Sequence, residues 1–260
     1  MVALRQEDID YFRLGETENP KFWSRFNYPP MEGKQLLDVG CGHGSLCISA
    51  AQAGAARVVG IDIDTERIEF AQAYLAQTFP ELQDRVEFRA IALEEYPLEQ
   101  FDYIVSKDSF EHILNLEATI AEMSQRLVPG GRIFSGFGPL YNSPYGGHAR
   151  IHRHIFNLPW VQVILPDLVL VKLVNRGREP DRQVNSVYEL GLNKLALRDY
   201  QRIMHDSGLN VVMLTVNHST NTVSRLFSLL RQIPFLEEYF SHNIYCILEK
   251  PLTEEARQAA

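Results

Sequence analysis

Two acids and three glycines carry the first chemical signal in this chain of 260 residues. Asp38 stands just before Gly40, Gly42 and Gly44, and Asp62 follows Gly40 by 22 positions. Glycines at that spacing let bare backbone come close to a ligand. An acid about 20 residues further on commonly holds a ribose by its hydroxyls. A dinucleotide loop, G-x-G-x-x-G, would have a third glycine where this chain has Ser45. The Asp38 carboxylate would moreover repel a pyrophosphate, whereas it suits a ligand that carries an ammonium group.

The elements that must position these residues are legible from apolar patterning. Leu36, Leu37 and Val39 form a short run that suits a buried parallel strand, the glycines break it, and residues 45–53 read as a helix stopped by Gly54. Residues 58–63 read as a second buried strand. Asp64 or Thr65 caps the next helix, whose Ile68, Ala71 and Leu75 share one face, and Phe79-Pro80 ends it. Residues 85–90 and 101–106 give a third and a fourth strand, and Lys107, Asp108, Ser109, Phe110 and His112 follow on a loop. Ile120, Met123 and Leu127 form a core stripe, Pro129-Gly130-Gly131 turns the chain, and residues 132–137 give a fifth strand. A helix at 196–207 and strands at 210–216 and 243–248 complete the alternation. Ligands of such open sheets bind outside the carboxyl ends of the strands, so Lys107, Asp108 and His112 face the same cleft as the glycine loop. S-adenosylmethionine, which has an ammonium group and a ribose but no phosphate, is the ligand these residues suit.

The motifs resemble those of a known family. DVGCGHG at 38–44 followed by GIDID at 60–64 is similar to the first two cofactor motifs of the class I S-adenosylmethionine-dependent methyltransferases. FDYIVSKDSFEHI at 101–113 resembles the fourth-strand motif of the type 11 branch, and LVPGGRI at 127–133 the turn before its fifth strand. The resemblance implies an α/β fold: a Rossmann-like, doubly wound, seven-stranded and mostly parallel sheet with an antiparallel last strand, in one domain over 1–260. It implies S-adenosylmethionine as cofactor, bound by Asp38, Gly40, Cys41, Gly42, Gly44, Asp62, Ile63, Ala92, Leu93, Lys107, Asp108 and His112. Ala92 departs from the family, which usually has an acid there for the adenine amino group; backbone near 91–93 or Glu94 is left to do that work. The family's N-terminal segment often lies over the cofactor, which makes residues 1–33 a lid with Tyr11, Phe22 and Trp23 as its aromatic contacts, or else a cover for a sheet edge.

Composition bounds the partners. With 25 basic and 33 acidic residues the formal charge is −8, against a nucleic-acid binder acting through bulk charge. No apolar run reaches the ~18 residues of a membrane span. Cys41, Cys47 and Cys246 are odd in number and not at metal-ligand spacing, so neither a disulfide framework nor a metal site is expected, and the compartment read from them is the reducing cytoplasm.

Residues 139–195 stand where a regular core would continue from strand to helix, and long insertions of this kind usually carry function. They read as a substrate cap for a small-molecule acceptor. Among their histidines, His148 and then His152 are the candidate general bases for methyl transfer to oxygen, with His154 nearby. Residues 222–240 form a helical insertion that packs beside the cap or offers a face for a homodimer. Two other functions compete: a non-catalytic S-adenosylmethionine-binding protein, and an NAD-dependent oxidoreductase, which Ser45 and Asp38 disfavour.

Overall fold

The computed structural model describes residues 4–152, 158–217 and 222–253. Its elements in chain order are α1 (Gln6–Ser24), β1 (Gln35–Val39), α2 (Ser45–Gln52), β2 (Arg57–Asp62), α3 (Thr65–Thr78), β3 (Val86–Ala90), β4 (Phe101–Lys107), α4 (Leu116–Gln125) and β5 (Leu127–Phe137). Then follow α5 (His148–His152), α6 (Val161–Ile164), α7 (Asp167–Val174), α8 (Leu197–Asp206), β6 (Asn210–Val216), α9 (Thr222–Leu230) and β7 (Ile244–Glu249).

The strands make one seven-stranded sheet in the order β3-β2-β1-β4-β5-β7-β6. The pairs from β3 to β5 are parallel, and β7 runs antiparallel to both β5 and β6. The expected inverted last strand is therefore present. Strand order reverses between β1 and β4, so the loops that leave these two strands go to opposite sides and open a crevice at their carboxyl ends.

Alternation along the strands divides the core between the two faces of the sheet. Leu36 and Val58 pack with buried residues of α1, α2 and α3, including Phe12, Phe22, Cys47 and Phe70. Leu37, Val59 and Ile61 pack instead with residues of α4 and α8, including Ile120, Met123, Tyr200 and Met204. A third, smaller cluster belongs to the segment after β5, where Ile151, Val161, Leu170, Val174, Val187 and Leu190 bury one another.

Several local expectations are corrected. Pro129-Gly130-Gly131 does not precede β5 but lies inside it, absorbed by a register shift opposite Phe101 and Tyr103. Residues 6–24 form a 19-residue helix whose Phe22 and Trp23 are buried in the core, so only Tyr11 of the three proposed lid aromatics is exposed. Helix α9 ends at Leu230, short of the expected 240, and turns follow. Asp64 does cap α3, its carboxylate accepting from Arg67 N at 3.2 Å.

Candidate functional site

A cleft of about 810 Å³ lies at the β1/β4 switch point, within the range of small-molecule sites. One wall is the glycine loop. Gly40 N and Cys41 N donate to Ile61 O at 2.9 and 3.0 Å, which draws the loop back onto β2. Gly42 has φ 54°, and nothing fills the space where its Cβ would be. Such a cradle leaves room for a ligand against bare backbone. Gly40, Cys41 and Gly42 line the cleft. Gly44 does not: it is the left-handed cap of α2, and a Cβ there would meet Phe88 and Ala71 rather than a ligand.

Both anticipated acids reach the cleft. Asp62 is fixed by backbone, its Oδ2 accepting from Gly42 N at 2.9 Å and its Oδ1 from Asp64 N at 3.0 Å. Asp38 is 1% exposed; Cys47 Sγ donates to its Oδ2 at 3.3 Å, while Oδ1 has no partner. Burial pushes the Asp38 carboxyl up to about 7, against the Cys47 hydrogen bond, and the charge of Asp62 adds to the rise. A carboxylate oxygen buried without a donor is costly, and a ligand ammonium would supply the missing hydrogen bond. The residues present thus fit the ammonium and ribose of S-adenosylmethionine.

The opposite end is lined by Ile91, Ala92, Leu93 and Glu94, with Ile63 on the rim at 80% exposure. The buried Arg126, which caps the C-terminus of α4, holds this segment, donating to Leu93 O at 3.1 Å and Tyr96 O at 2.7 Å. Over the glycine loop lies α1, whose Tyr11 ring sits 4.7 Å from that of His43, and His43 Nε2 is 3.1 Å from Asp8 Oδ1.

The end of β4 supplies Lys107 to the wall, and the loop after it Asp108 and His112. Lys107 Nζ donates to Asn19 Oδ1 at 3.3 Å, and burial lowers its pKa. Asp108, at φ 52°, has its pKa raised by burial, with Lys107 acting the other way. His112 Nδ1 lies 2.7 Å from Gly191 O. A carbonyl can only accept, so Nδ1 carries the hydrogen and Nε2 keeps its lone pair. Burial lowers the His112 pKa, so the ring is neutral.

His148 is one layer further back. Its ring is 4.8 Å from that of His112, its Nε2 donates to Pro139 O at 3.1 Å, and it is not part of the cleft wall. Burial, and then the charge of His112, lower its pKa to about 4. His152 belongs to α5 but its side chain lies outside the described residues, as does the whole of His154. Glu111, His112 and His148 each offer a ligand atom within 4.8 Å of the others, a grouping able to hold a cation. Sequence spacing hid it, because His148 comes from α5 and Glu111 from the β4 loop.

Two positioning residues were also missed. Asn193 Nδ2 donates to Phe110 O at 2.7 Å and Ile113 O at 3.1 Å, clamping the β4 loop from 80 residues away. Arg150 of the cap reaches the cleft beside Gly191. No local pattern announces either, since both act through backbone carbonyls distant in sequence.

Residues 30–137 match the family model described as a methyltransferase domain. The mitochondrial ubiquinone biosynthesis O-methyltransferase of Homo sapiens is 39% identical over 108 residues, 40% of this chain and 29% of that protein. The ubiquinone biosynthesis O-methyltransferase of Leptothrix cholodnii is 34% identical over 115 residues, 43% of this chain and 47% of that protein. The chain therefore spans less than half the length of these curated relatives. A solved S-adenosylmethionine-dependent methyltransferase from Mesorhizobium loti shares the fold, with a TM-score of 0.57 at 19% identity over 90% of this chain and 97% of that one. The segment that carries β1 to β5 thus matches a methyltransferase domain, and the sheet as a whole shares the fold of solved S-adenosylmethionine-dependent methyltransferases.

Proposed function

We propose that the chain transfers a methyl group from S-adenosylmethionine to an oxygen of a small-molecule acceptor. The observation that carries this reading is the unpartnered, buried Asp38 oxygen at the cleft, next to an Asp62 held ready by backbone donors. When bound, the cofactor supplies an electrophilic methyl on its sulfonium, so the protein's task is mainly alignment. Asp38 takes the ammonium, Asp62 the ribose hydroxyls, and the backbone of 91–94 the adenine. His112 takes the proton of the acceptor hydroxyl, because its Nε2 lone pair is fixed by the Gly191 contact and its ring lines the cleft. His148, the base suggested by sequence, packs behind it and supports its orientation. Oxygen as the accepting atom is supported by the curated relatives, which are O-methyltransferases by name.

All three cysteines are unpaired, which supports a reducing compartment such as the cytoplasm. No helix among the described residues is long and apolar enough to cross a membrane. The exposed Val223, Leu226 and Leu229 of α9 support a homodimer face.

Calorimetry with S-adenosylmethionine and with NAD tests the cofactor. Tight binding of the first and none of the second is expected, with Asp62→Ala weaker by about 1 to 3 kcal/mol through lost charge-assisted hydrogen bonds. Binding without S-adenosylhomocysteine production on any hydroxyl-bearing small molecule tried would favour a non-catalytic binding protein.

A further inference from the structure

Three cationic side chains line the cleft: Arg67, Lys107 and Arg150. Arg150 of α5 and Arg67 of the first turn of α3 line the wall together with His112 and Gly191. Arg67 keeps a carboxylate beside it, its Nε lying 3.1 Å from Asp64 Oδ2. Arg150 forms no ion pair among the described residues, and its hydrogen bonds go to backbone: one terminal nitrogen donates to Leu190 O and, at 3.1 Å, to Gly191 O.

This contact is built into the chain. Gly191 sits at φ 67°, and a Cβ there would collide with the Arg150 nitrogen, so a glycine makes the approach feasible. The same Gly191 carbonyl accepts from His112 Nδ1. One peptide group therefore orients the proposed base and the guanidinium together. Only one edge of the guanidinium is held by these bonds, which leaves its Nε and second terminal nitrogen for a ligand. Burial of part of the side chain and the charge of Arg67 hold the Arg150 pKa down, with Glu111 acting the other way. Glu111 offers little compensation near neutrality, because burial pushes its own carboxyl up to about 8. Two guanidiniums that face the same space repel each other unless an anion lies between them.

We propose that Arg150, assisted by Arg67, binds an anionic group of the methyl acceptor, a carboxylate or a phosphate, while the acceptor hydroxyl lies at His112. The assignment rests on the methyltransferase reading above. It narrows the acceptor to small molecules that carry a hydroxyl at one position and a negative charge at another. A planar carboxylate or a phosphate can take two parallel N–H donors from one guanidinium, which lysine could not provide.

Titration of benzoate and of inorganic phosphate, into the protein with and without saturating S-adenosylhomocysteine, tests it. At least one anion should bind, and Arg150→Gln should weaken that binding by about tenfold or more while leaving S-adenosylhomocysteine affinity unchanged. Arg67→Gln should weaken it less, and Arg150→Lys should recover part of the affinity, which a folding defect would not allow. Preference for benzoate or for phosphate identifies the anion. The proposal is overturned if neither anion binds, or if Arg150→Gln binds as well as the natural protein. Failure of S-adenosylhomocysteine itself to bind would sink the cofactor reading instead, and the titrations without it would still decide the role of Arg150.

Discussion

At the scale of single residues, Asp38 combines a cost in the free protein with a use in the complex. Its carboxyl titrates at about 7 in the fold against 3.8 for an ordinary aspartate. Between those values the folded chain holds a proton that the unfolded chain has released, so this group's contribution is most favourable below pH 4 and declines as pH rises through 7. Asp38→Asn should therefore stabilise the ligand-free protein above pH 7, by up to about 4 kcal/mol, as read from denaturant melts. The same change should weaken S-adenosylmethionine binding by about tenfold or more, because a neutral amide oxygen accepts from an ammonium without the charge that strengthens the bond. In the natural protein, affinity should fall as pH drops below 7. Equal affinity at pH 5.5 and 8 would remove Asp38 from the ammonium site. The places of Asp38, Asp62, Gly40 and Gly42 at the cleft were legible in the sequence because a strand and the loop that leaves it are continuous in the chain, whereas Gly44 turned out to cap α2. His112 was legible for its place in the cleft, whereas the hydrogen bond that fixes its tautomer comes from Gly191, 79 positions away, where no local pattern shows it.

At the scale of elements, what matters is how two loops that leave β1 and β4 are kept in register with the cap and with α1. Asn193 binds the β4 loop through Phe110 O and Ile113 O, and its own Oδ1 accepts from Tyr200 OH of α8 at 2.9 Å. Asn193→Ala leaves buried carbonyls and a tyrosine hydroxyl without partners, which costs about 1 to 3 kcal/mol of stability. Turnover should fall further than cofactor affinity, since the displaced loop carries His112. Equal losses in both would mean that the clamp serves the cofactor pocket alone. On the other side, Gly15 of α1 packs so closely on α2 that a Cβ would overlap Ser45 Oγ and lie 2.9 Å from its Cβ. Gly15→Val should lift α1 from the glycine loop and weaken S-adenosylmethionine binding, because Tyr11, Leu14 and Glu18 of that helix form part of the wall. Unchanged binding by the variant would show that the helix is a cover for the sheet only. Strands such as β1, β2 and β7 were readable because each is a short apolar run, whereas the start of β5 was not, because its Pro129-Gly130-Gly131 reads as a turn. The place of Phe22 and Trp23 was not, because an aromatic pattern is the same whether a helix buries it in a core or presents it to a ligand.

At the scale of the whole molecule, the sheet and the cap differ in how much apolar surface holds them. The sheet has a large buried cluster on each face, whereas the cap depends on a small cluster of its own around Ile151, Val161, Leu170 and Val187. Its outer surface leaves Ile164 and Leu168 exposed at 72% and 82%, so little further apolar burial anchors it. Sequence located this segment by its prolines, glycines and histidines, but its short helices come from tertiary contacts such as the buried Gln162 amide on Tyr141 O and Ser143 O, which no local pattern encodes. A unit with few buried contacts opens at lower free energy than the core to which it is attached. Hydrogen exchange should find the amides of α6 and α7 exchanging well ahead of those in β1 and β4. S-adenosylhomocysteine should protect the β1 and β4 loops and α1 first, since those elements form its walls. Protection of α5 should need an anion as well if Arg150, which lines the cleft, holds the acceptor as proposed. Cap amides that exchange as slowly as β1 in the free protein would mean that the cap and sheet unfold as one cooperative body and that acceptor entry does not require the cap to open.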